Sequence, residues 1–127
     1  MSGQGTKAII ERYIEAYNSF DVEGMLTLLH PDIVFRNFAG GEMNTQTRGI
    51  QEFRELAENA SHMFASRQQT ITDYRMMDEV VEVRIDYEGV LAVDLPNGLK
   101  AGETLELQGK SLFELSEGKI VRIEDYS

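Results

Sequence analysis

The spacing of apolar residues changes at about residue 66, and this change constrains the fold more than any other feature of the chain. Before it, apolar residues recur every three or four positions, which is typical of amphipathic helices. After it they alternate with polar residues, which is typical of strands buried on one face. Helices followed by successive strands predict an α+β domain in which a curved antiparallel sheet wraps the helices and leaves a hollow between the layers.

The first half of the chain predicts three helices and one strand. Thr6 and Asp21 are suitable N-caps, and Pro31 ends the second helical pattern. The Gly40-Gly41 pair breaks regular structure and is followed by a polar segment, for which we expect a loop. The predicted elements are helices at residues 6–20, 22–30 and 50–64, a strand at 32–38, and the loop at 40–47.

The second half predicts successive strands joined by turns. Four segments alternate between apolar and polar residues, and the segments between them contain turn-forming residues. The predicted strands are residues 70–77, 80–91, 103–115 and a last strand from residue 121, with turns at 78–79, 95–98 and 116–118.

Length and charge exclude several classes of protein. With 127 residues, of which 42% are hydrophobic, the chain is expected to form one domain over residues 1–127. The formal charge of -10, from 22 acidic and 12 basic residues, argues against nucleic acid and anionic membranes as partners. Cysteine is absent and no signal-peptide pattern is visible at the N-terminus. We therefore expect a cytoplasmic protein.

The last predicted strand carries a carboxylate on its apolar row. Val121, Ile123 and Asp125 alternate with Arg122 and Glu124, so the inward row ends in an acid. An ionised carboxylate without partners is costly to bury, and Asp125 must be paired, protonated or at the mouth of a wet pocket. Asp125 is therefore the first candidate for acid–base chemistry.

Two further charged residues are candidates to act with it. Arg84 and Asp86 are two apart on a predicted strand and therefore share a face. A guanidinium between Asp86 and Asp125 would hold two carboxylates near one cavity, an arrangement that can split acid and base roles. The same residues also fit an ordinary solvated sheet face, and the spacing leaves open which face of residues 80–91 lines a pocket.

A second set of candidates would bind the substrate. Tyr13, Tyr17, Phe35, Asn37 and Ser111 lie on the apolar rows of one helix and two strands. The hydroxyl and amide groups of Tyr13, Asn37 and Ser111 would hydrogen-bond a ligand oxygen or water, although each has an internal alternative such as core packing or turn capping. The two histidines, His30 and His62, have no metal-ligand spacing. We expect no metal and no organic cofactor.

Several segments together resemble the nuclear transport factor 2-like superfamily, in its SnoaL-like polyketide cyclase branch. They are ERYIEAYNSFDVEGMLTLL, HPDIVFRN, RGIQEFRELA and GKSLFELSEGKIVRIEDYS. The resemblance covers nearly the whole chain. It implies a cone-shaped fold of three helices packed in a strongly curved sheet, usually in a homodimer.

Within that superfamily, the chain is partly similar to limonene-epoxide hydrolases. Arg84, Asp86 and Asp125 match their Arg-x-Asp and closing Asp-Tyr motifs. The resemblance implies that Asp125 activates a water, that Asp86 protonates the epoxide oxygen and that Arg84 bridges them, with Asn37 holding the water. Phe35 stands where these enzymes have a tyrosine, which argues against epoxide chemistry.

The chain is also partly similar to ketosteroid isomerases. Tyr13 matches their oxyanion tyrosine, whereas Asn37 occupies the position of their catalytic base and Ser111 lies near that of their oxyanion aspartate. An amide does not accept a proton usefully at neutral pH, so steroid isomerisation by that route is disfavoured.

Two functions follow as hypotheses. The first is a cofactor-independent hydrolase, cyclase or isomerase that acts on a small apolar, oxygenated molecule in a central pocket. The second is a non-catalytic ligand-binding or dimerisation module in which the same acids are structural. A homodimer is expected in particular if the polar face of residues 80–91 turns inward, because the apolar face of Val81, Val83, Ile85 and Tyr87 would then need cover.

Overall fold

The computed structural model describes residues 3–96 and 98–127. Asn97, in the predicted turn at 95–98, lies outside the described residues. The helices are α1 (Gly3–Asn18), α2 (Val22–Leu26) and α3 (Gly49–Ser61). The strands are β1 (Leu29–Ala39), β2 (Glu42–Arg48), β3 (Phe64–Met77), β4 (Val80–Leu91), β5 (Thr104–Ser116) and β6 (Lys119–Tyr126). The predicted α+β class is confirmed.

The strands form one mixed sheet in the order β2-β1-β6-β5-β4-β3. Strands β1 and β6 pair in parallel, and every other neighbouring pair is antiparallel. This parallel pair joins the first strand of the chain to the last one. As a result, residues far apart in the sequence share one row across the sheet.

The core lies between the helices and one face of the sheet. Helices α1 and α3 bury an apolar stripe against the inward rows of β4, β5 and β6, as the hydrophobic effect requires of amphipathic elements. The buried residues that meet there include Ile10, Tyr13, Ile14, Phe53, Ala57, Val81, Val83, Ile85, Phe113 and Ile123. The apolar face of β4 is therefore covered by the chain's own helices, and the reason given for a dimer on that face does not apply.

Helix α2 is shorter than predicted, and β1 is longer. Asp21 caps α2 as expected, because its Oδ1 accepts a hydrogen bond of 2.9 Å from the Gly24 amide. The helix ends at Leu26, and Pro31 lies within β1 instead of ending the helix. A proline is tolerated there because the pairing of β1 with β6 is irregular between Leu29 and Val34.

The predicted loop at 40–47 is wrong, since most of it forms the edge strand β2. Gly40 and Gly41 adopt φ of 60° and 85°, the conformation of a tight hairpin between β1 and β2. Strand β2 has few apolar residues, because an edge strand needs little burial to stay paired on one side. The third helix is also shorter than predicted, with Phe64 starting β3.

No helix among the described residues is long and apolar enough to span a membrane.

Candidate functional site

A cavity of about 420 Å³ lies between the helices and the concave face of the sheet. Its volume is within the range of small-molecule sites. Residues of all three helices form one wall, and residues of all six strands form the other. The polar residues that line it are Tyr13, Tyr17, Asn37, Thr45, Arg67, Gln69, Tyr87, Lys110, Ser111, Asp125, Tyr126 and Ser127.

The register of the sheet puts three of these residues in one row. Asn37 on β1 is the partner of Asp125 on β6, and Asp125 is in turn the partner of Ser111 on β5. Ser111 is opposite the buried Val83 on β4. Residues paired across a sheet point to the same face, so the whole row faces the core and the cavity.

Asp125 is partly buried in the cavity wall and has no cation partner among the described residues. Its Oδ1 accepts a hydrogen bond of 2.6 Å from the Ser111 hydroxyl, and no salt bridge to it exists among the described residues. Burial raises the pKa of Asp125 to about 6, while the Ser111 hydrogen bond acts in the opposite direction. A carboxyl group with this pKa can both take up and release a proton near neutral pH.

The neighbouring carboxylate, Glu124, has the opposite environment. It lies on the other face of β6, where it accepts hydrogen bonds from Arg36 at 2.8 Å and from the Tyr126 hydroxyl at 3.0 Å. Burial alone would raise the pKa of Glu124, but these bonds and the charge of Arg122 lower it overall. Glu124, on the outward face, is therefore ion-paired with arginine, whereas Asp125, on the inward face, has no cation partner among the described residues.

The other candidate binding residues also line the cavity. Tyr13, Tyr17, Phe35 and Asn37 are placed there together with Ser111. Phe35 packs edge-on against Phe53 at 5.9 Å between ring centroids. The Asn37 side-chain amide donates to Oδ1 of Asn44 at 3.0 Å, which is a bond between β1 and β2 and does not cap the turn at Gly40-Gly41. The role of these five residues in binding remains a prediction.

The tyrosines supply hydroxyl groups to the cavity. Tyr17 donates a hydrogen bond of 3.0 Å to the hydroxyl of Tyr87, whereas the Tyr13 hydroxyl has no hydrogen bond to another residue within 3–96 and 98–127. Burial and then the charge of Asp125 raise the pKa of Tyr13, and burial raises the pKa of Tyr17. Both side chains therefore stay protonated; Tyr17 donates to Tyr87, and the Tyr13 hydroxyl is available as a donor.

The predicted grouping of Arg84 and Asp86 with Asp125 is wrong. Both are exposed on the convex face, where they line a separate surface groove that does not include Asp125. The reason is the register: Asp125, Ser111 and Val83 share the concave face, so the alternate residues of β4 must point away. The expected trio is not formed.

This placement removes the geometry that the epoxide-hydrolase resemblance implied. A proton donor at Asp86 and a bridge at Arg84 would have to reach the concave face through the sheet. An ion pair with Arg84 would also lower the pKa of Asp125, whereas burial raises it. The cavity thus holds one carboxyl group of β6 in place of the expected pair.

Sequence reasoning missed Arg67, a cation in the cavity wall. Its residue exposure is 5%, although arginine is seldom buried. The predicted strand began at residue 70, so Arg67 was not assigned to any face. In the strand that begins at Phe64, Arg67 and Gln69 lie on one inward row, but residues 66–70 are all polar and their sequence carries no apolar alternation that would mark that row.

No group of three or more metal-ligating side chains with suitable geometry occurs within the described ranges.

Comparisons with known proteins agree with this fold. The SnoaL-like domain family model matches residues 10–123, which is most of the chain. No curated protein sequence matches it significantly.

The solved structures similar to this chain have the same fold at low sequence identity. One is a proposed polyketide cyclase from Xanthomonas campestris pv. campestris, with a TM-score of 0.84, 21% identity, and coverage of 98% of this chain and 90% of that chain. Another is a proposed polyketide cyclase from Silicibacter sp. TM1040, with a TM-score of 0.76, 24% identity, and coverage of 99% and 90%.

A third is a hypothetical protein with a ketosteroid isomerase-like fold from Catenulispora acidiphila, in complex with trimethylamine. Its TM-score is 0.77 at 17% identity, with coverage of 94% of this chain and 84% of that chain. The match of the family model over residues 10–123, together with the three-helix and six-strand cone, identifies the chain as a member of the SnoaL-like domain family, within the nuclear transport factor 2-like superfamily.

Proposed function

We propose that this protein is a cofactor-independent acid–base enzyme that acts on a small apolar, oxygenated molecule. The observation that carries the proposal is the carboxyl group of Asp125, which lies in the cavity with only the Ser111 hydroxyl as a partner among the described residues. Its pKa of about 6 suits a general base at neutral pH, because the carboxyl of Asp125 is then mostly ionised and is still basic enough to accept a proton.

The reaction that this arrangement supports is proton transfer next to a carbonyl group. Asp125 would remove a proton from the carbon beside the carbonyl. The electron pair of the C–H bond would form a C=C bond as the π pair of the carbonyl moves onto its oxygen, which gives an enolate. The Tyr13 hydroxyl would donate a hydrogen bond to that oxygen. Protonated Asp125 would then return the proton.

Where the proton returns distinguishes an isomerase from a cyclase. In an isomerisation, the proton is returned to another carbon of the conjugated system. In a cyclisation, the enolate carbon attacks a second carbonyl, a C–C bond forms, and the new alkoxide takes the proton from Asp125. A cyclisation also agrees with the activity proposed for two of the similar structures.

A single carboxyl favours these reactions over epoxide hydrolysis. Opening an epoxide with water by the route that the resemblance implied needs an acid and a base at the same time. Asp86, the expected acid, is exposed on the convex face. Enolisation needs one group that takes up and returns a proton, which Asp125 can supply.

The second candidate is a ligand-binding protein without turnover. The mainly apolar walls around Phe35, Phe53 and Phe113 favour ligand binding whether or not chemistry follows. The homodimer and the cytoplasmic location expected from the sequence stay predictions under either function.

Proton exchange tests the choice between the two. Slowly exchanging aromatic ketones such as α-tetralone and 4-chromanone are incubated with the protein in deuterium oxide, and loss of the proton beside the carbonyl is followed by NMR. We expect wild-type exchange above the buffer rate and a drop of about 100-fold or more in Asp125→Asn. Asp86→Asn, which changes an exposed carboxylate, is the matched control. Equal rates for wild type and Asp125→Asn would remove Asp125 from catalysis, and exchange at the buffer rate would favour the binding protein.

A further inference from the structure

Arg67 is a buried cation that the acid–base chemistry above does not use. It lies on β3, has 5% residue exposure and belongs to the cavity wall. Burying a guanidinium ion costs several kcal/mol unless its charge and its N–H groups are satisfied. The hydrogen bonds and counter-charge that Arg67 lacks within the protein therefore indicate which groups a ligand would have to supply.

The side chain is held at one point and stacked on two aromatic rings. Its Nε donates a hydrogen bond of 2.8 Å to the carbonyl oxygen of Tyr17, near the end of α1. The guanidinium carbon lies 3.7 Å from the centroid of the Tyr17 ring and 4.5 Å from that of Phe20. These contacts fix the plane of the guanidinium and stabilise its charge.

The terminal nitrogens of Arg67 remain available. Within residues 3–96 and 98–127, the Nε bond is the hydrogen bond that this side chain makes, and no carboxylate lies within ion-pair distance of it. The chain has more acidic than basic residues, with a net charge of -10, yet no acidic side chain among the described residues forms an ion pair with Arg67. The counter-charge of Arg67 is therefore left to a bound molecule.

We propose that Arg67 binds a carboxylate of the ligand, so that the cavity takes a small apolar carboxylic acid. The planar edge of a guanidinium matches a carboxylate with two parallel hydrogen bonds. The apolar walls between Arg67 and Asp125 would take the hydrocarbon part of the molecule. This inference rests on the proposed function only in taking the same cavity as the ligand site.

The positions of the two charged groups set the shape of such a ligand. Asp125 is on β6 and Arg67 is on β3, with β5 and β4 between them. Three steps between neighbouring strands correspond to roughly 14 Å measured along the curved sheet. The carboxylate and the reacting carbon would thus be at opposite ends of the ligand, with the tyrosine hydroxyls between them.

A purely structural role accounts for part of this arrangement. A cation at the C-terminal end of α1 is favourable because of the helix dipole, and the Tyr17 carbonyl gains a donor. That role needs Nε and the stacking but leaves the terminal nitrogens unused. A test must therefore measure selectivity for an anion, which helix capping alone does not produce.

Two probes that differ in charge but hardly in shape make that measurement. Naphthalene-2-carboxylate and naphthalene-2-carboxamide are titrated separately at pH 7.5 by calorimetry. We expect wild type to bind the carboxylate at least about tenfold more tightly, which is a difference of about 1.4 kcal/mol. The protein's net charge of -10 repels anions, so nonspecific electrostatics would weaken binding of the carboxylate and cannot produce this preference.

Variants assign the preference to Arg67. In Arg67→Met the ratio of the two dissociation constants should fall to about one or below, while Arg84→Met, at an exposed arginine on the convex face, should keep it. Should Arg67→Met fail to fold, the wild-type comparison decides the matter alone. Binding of neither probe, equal binding of both, or a preference that survives Arg67→Met overturns the proposal.

Asp125→Asn separates this inference from the proposed function. It should abolish ketone exchange but keep the preference for the carboxylate. A kept preference without any exchange in wild type would mean that the proposed function fails and the ligand class stands. Exchange that depends on Asp125 without a carboxylate preference would mean the reverse.

Discussion

Ser111 donates a 2.6 Å hydrogen bond to Oδ1 of Asp125 from the neighbouring strand, where the two residues are register partners. Oδ2 of Asp125 has no partner among the described residues. One oxygen is thus held by a hydrogen bond, and the other is free to take part in the proton transfer that we propose. The stability of the protein and its chemistry should both respond to this unpaired carboxyl.

The first prediction concerns the pH dependence of stability. The pKa of Asp125 is raised from 3.8 to about 6 on folding, so its contribution to stability is fully present below about pH 4 and is lost as pH rises through 6. Asp125→Asn removes that dependence. Relative to wild type, the free energy of unfolding of the variant should rise by about 2 kcal/mol between pH 4 and pH 7.

Urea denaturation at a series of pH values measures this difference. Asp86→Asn, on the convex face, should differ from wild type by less than about 0.5 kcal/mol at each pH. A difference that falls with rising pH would mean that Asp125 is paired with a cation in solution.

The second prediction concerns Ser111. Its hydroxyl lowers the pKa of Asp125, so Ser111→Ala should raise that pKa above 6 and move the acid limb of the pH–rate profile of ketone exchange to higher pH. Ser66→Ala, at an exposed serine of β3, is the control and should leave the profile unchanged. An unchanged profile in Ser111→Ala would show that the hydrogen bond does not persist in solution.

The third prediction separates the two faces of β4. Because Arg84 is exposed on the convex face, Arg84→Ala should leave the pKa of Asp125 and the rate of ketone exchange within experimental error of wild type. The measurement is the pH–rate profile of the variant. A rise in the apparent pKa on loss of Arg84 would contradict the register of β4, β5 and β6.

The fourth prediction concerns the Tyr13 hydroxyl. In Tyr13→Phe the cavity loses a donor for the ligand oxygen, so ketone exchange should slow by about 10-fold to 100-fold. The melting temperature should change little, because that hydroxyl makes no hydrogen bond within the described ranges and the Phe113 ring contact is kept. Tyr74→Phe, outside the cavity, is the control. Unchanged exchange would show that Tyr13 only packs in the core.

The elements with strong periodicity were predictable from the sequence. Strand β4 has the predicted bounds of residues 80–91, because Val81, Val83 and Ile85 alternate without interruption. Strand β2 was missed because an edge strand is polar on both faces and lacks an apolar pattern. Alternation thus locates a buried strand but not a solvated one.

The sequence predicted the direction of a site residue only where the alternation within its own strand determines it. The inward direction of Asp125 followed from its own strand, as did those of Asn37 and Ser111. The direction of Arg84 and Asp86 depends on how β4 pairs with β5, and a shift of one residue in that pairing exchanges the faces. Long-range register of this kind is not contained in the spacing along the chain.

Titration of its carboxyl group shows whether Asp125 is an acid without a cation partner in solution. Protein with ¹³C-labelled aspartate is titrated from pH 4 to pH 8 by NMR, and the Asp125 resonance is assigned as the one missing in Asp125→Asn. We expect an apparent pKa of about 6 for Asp125. A value at or below the ordinary aspartate value of 3.8 would contradict it, because the carboxyl would then be solvated or ion-paired.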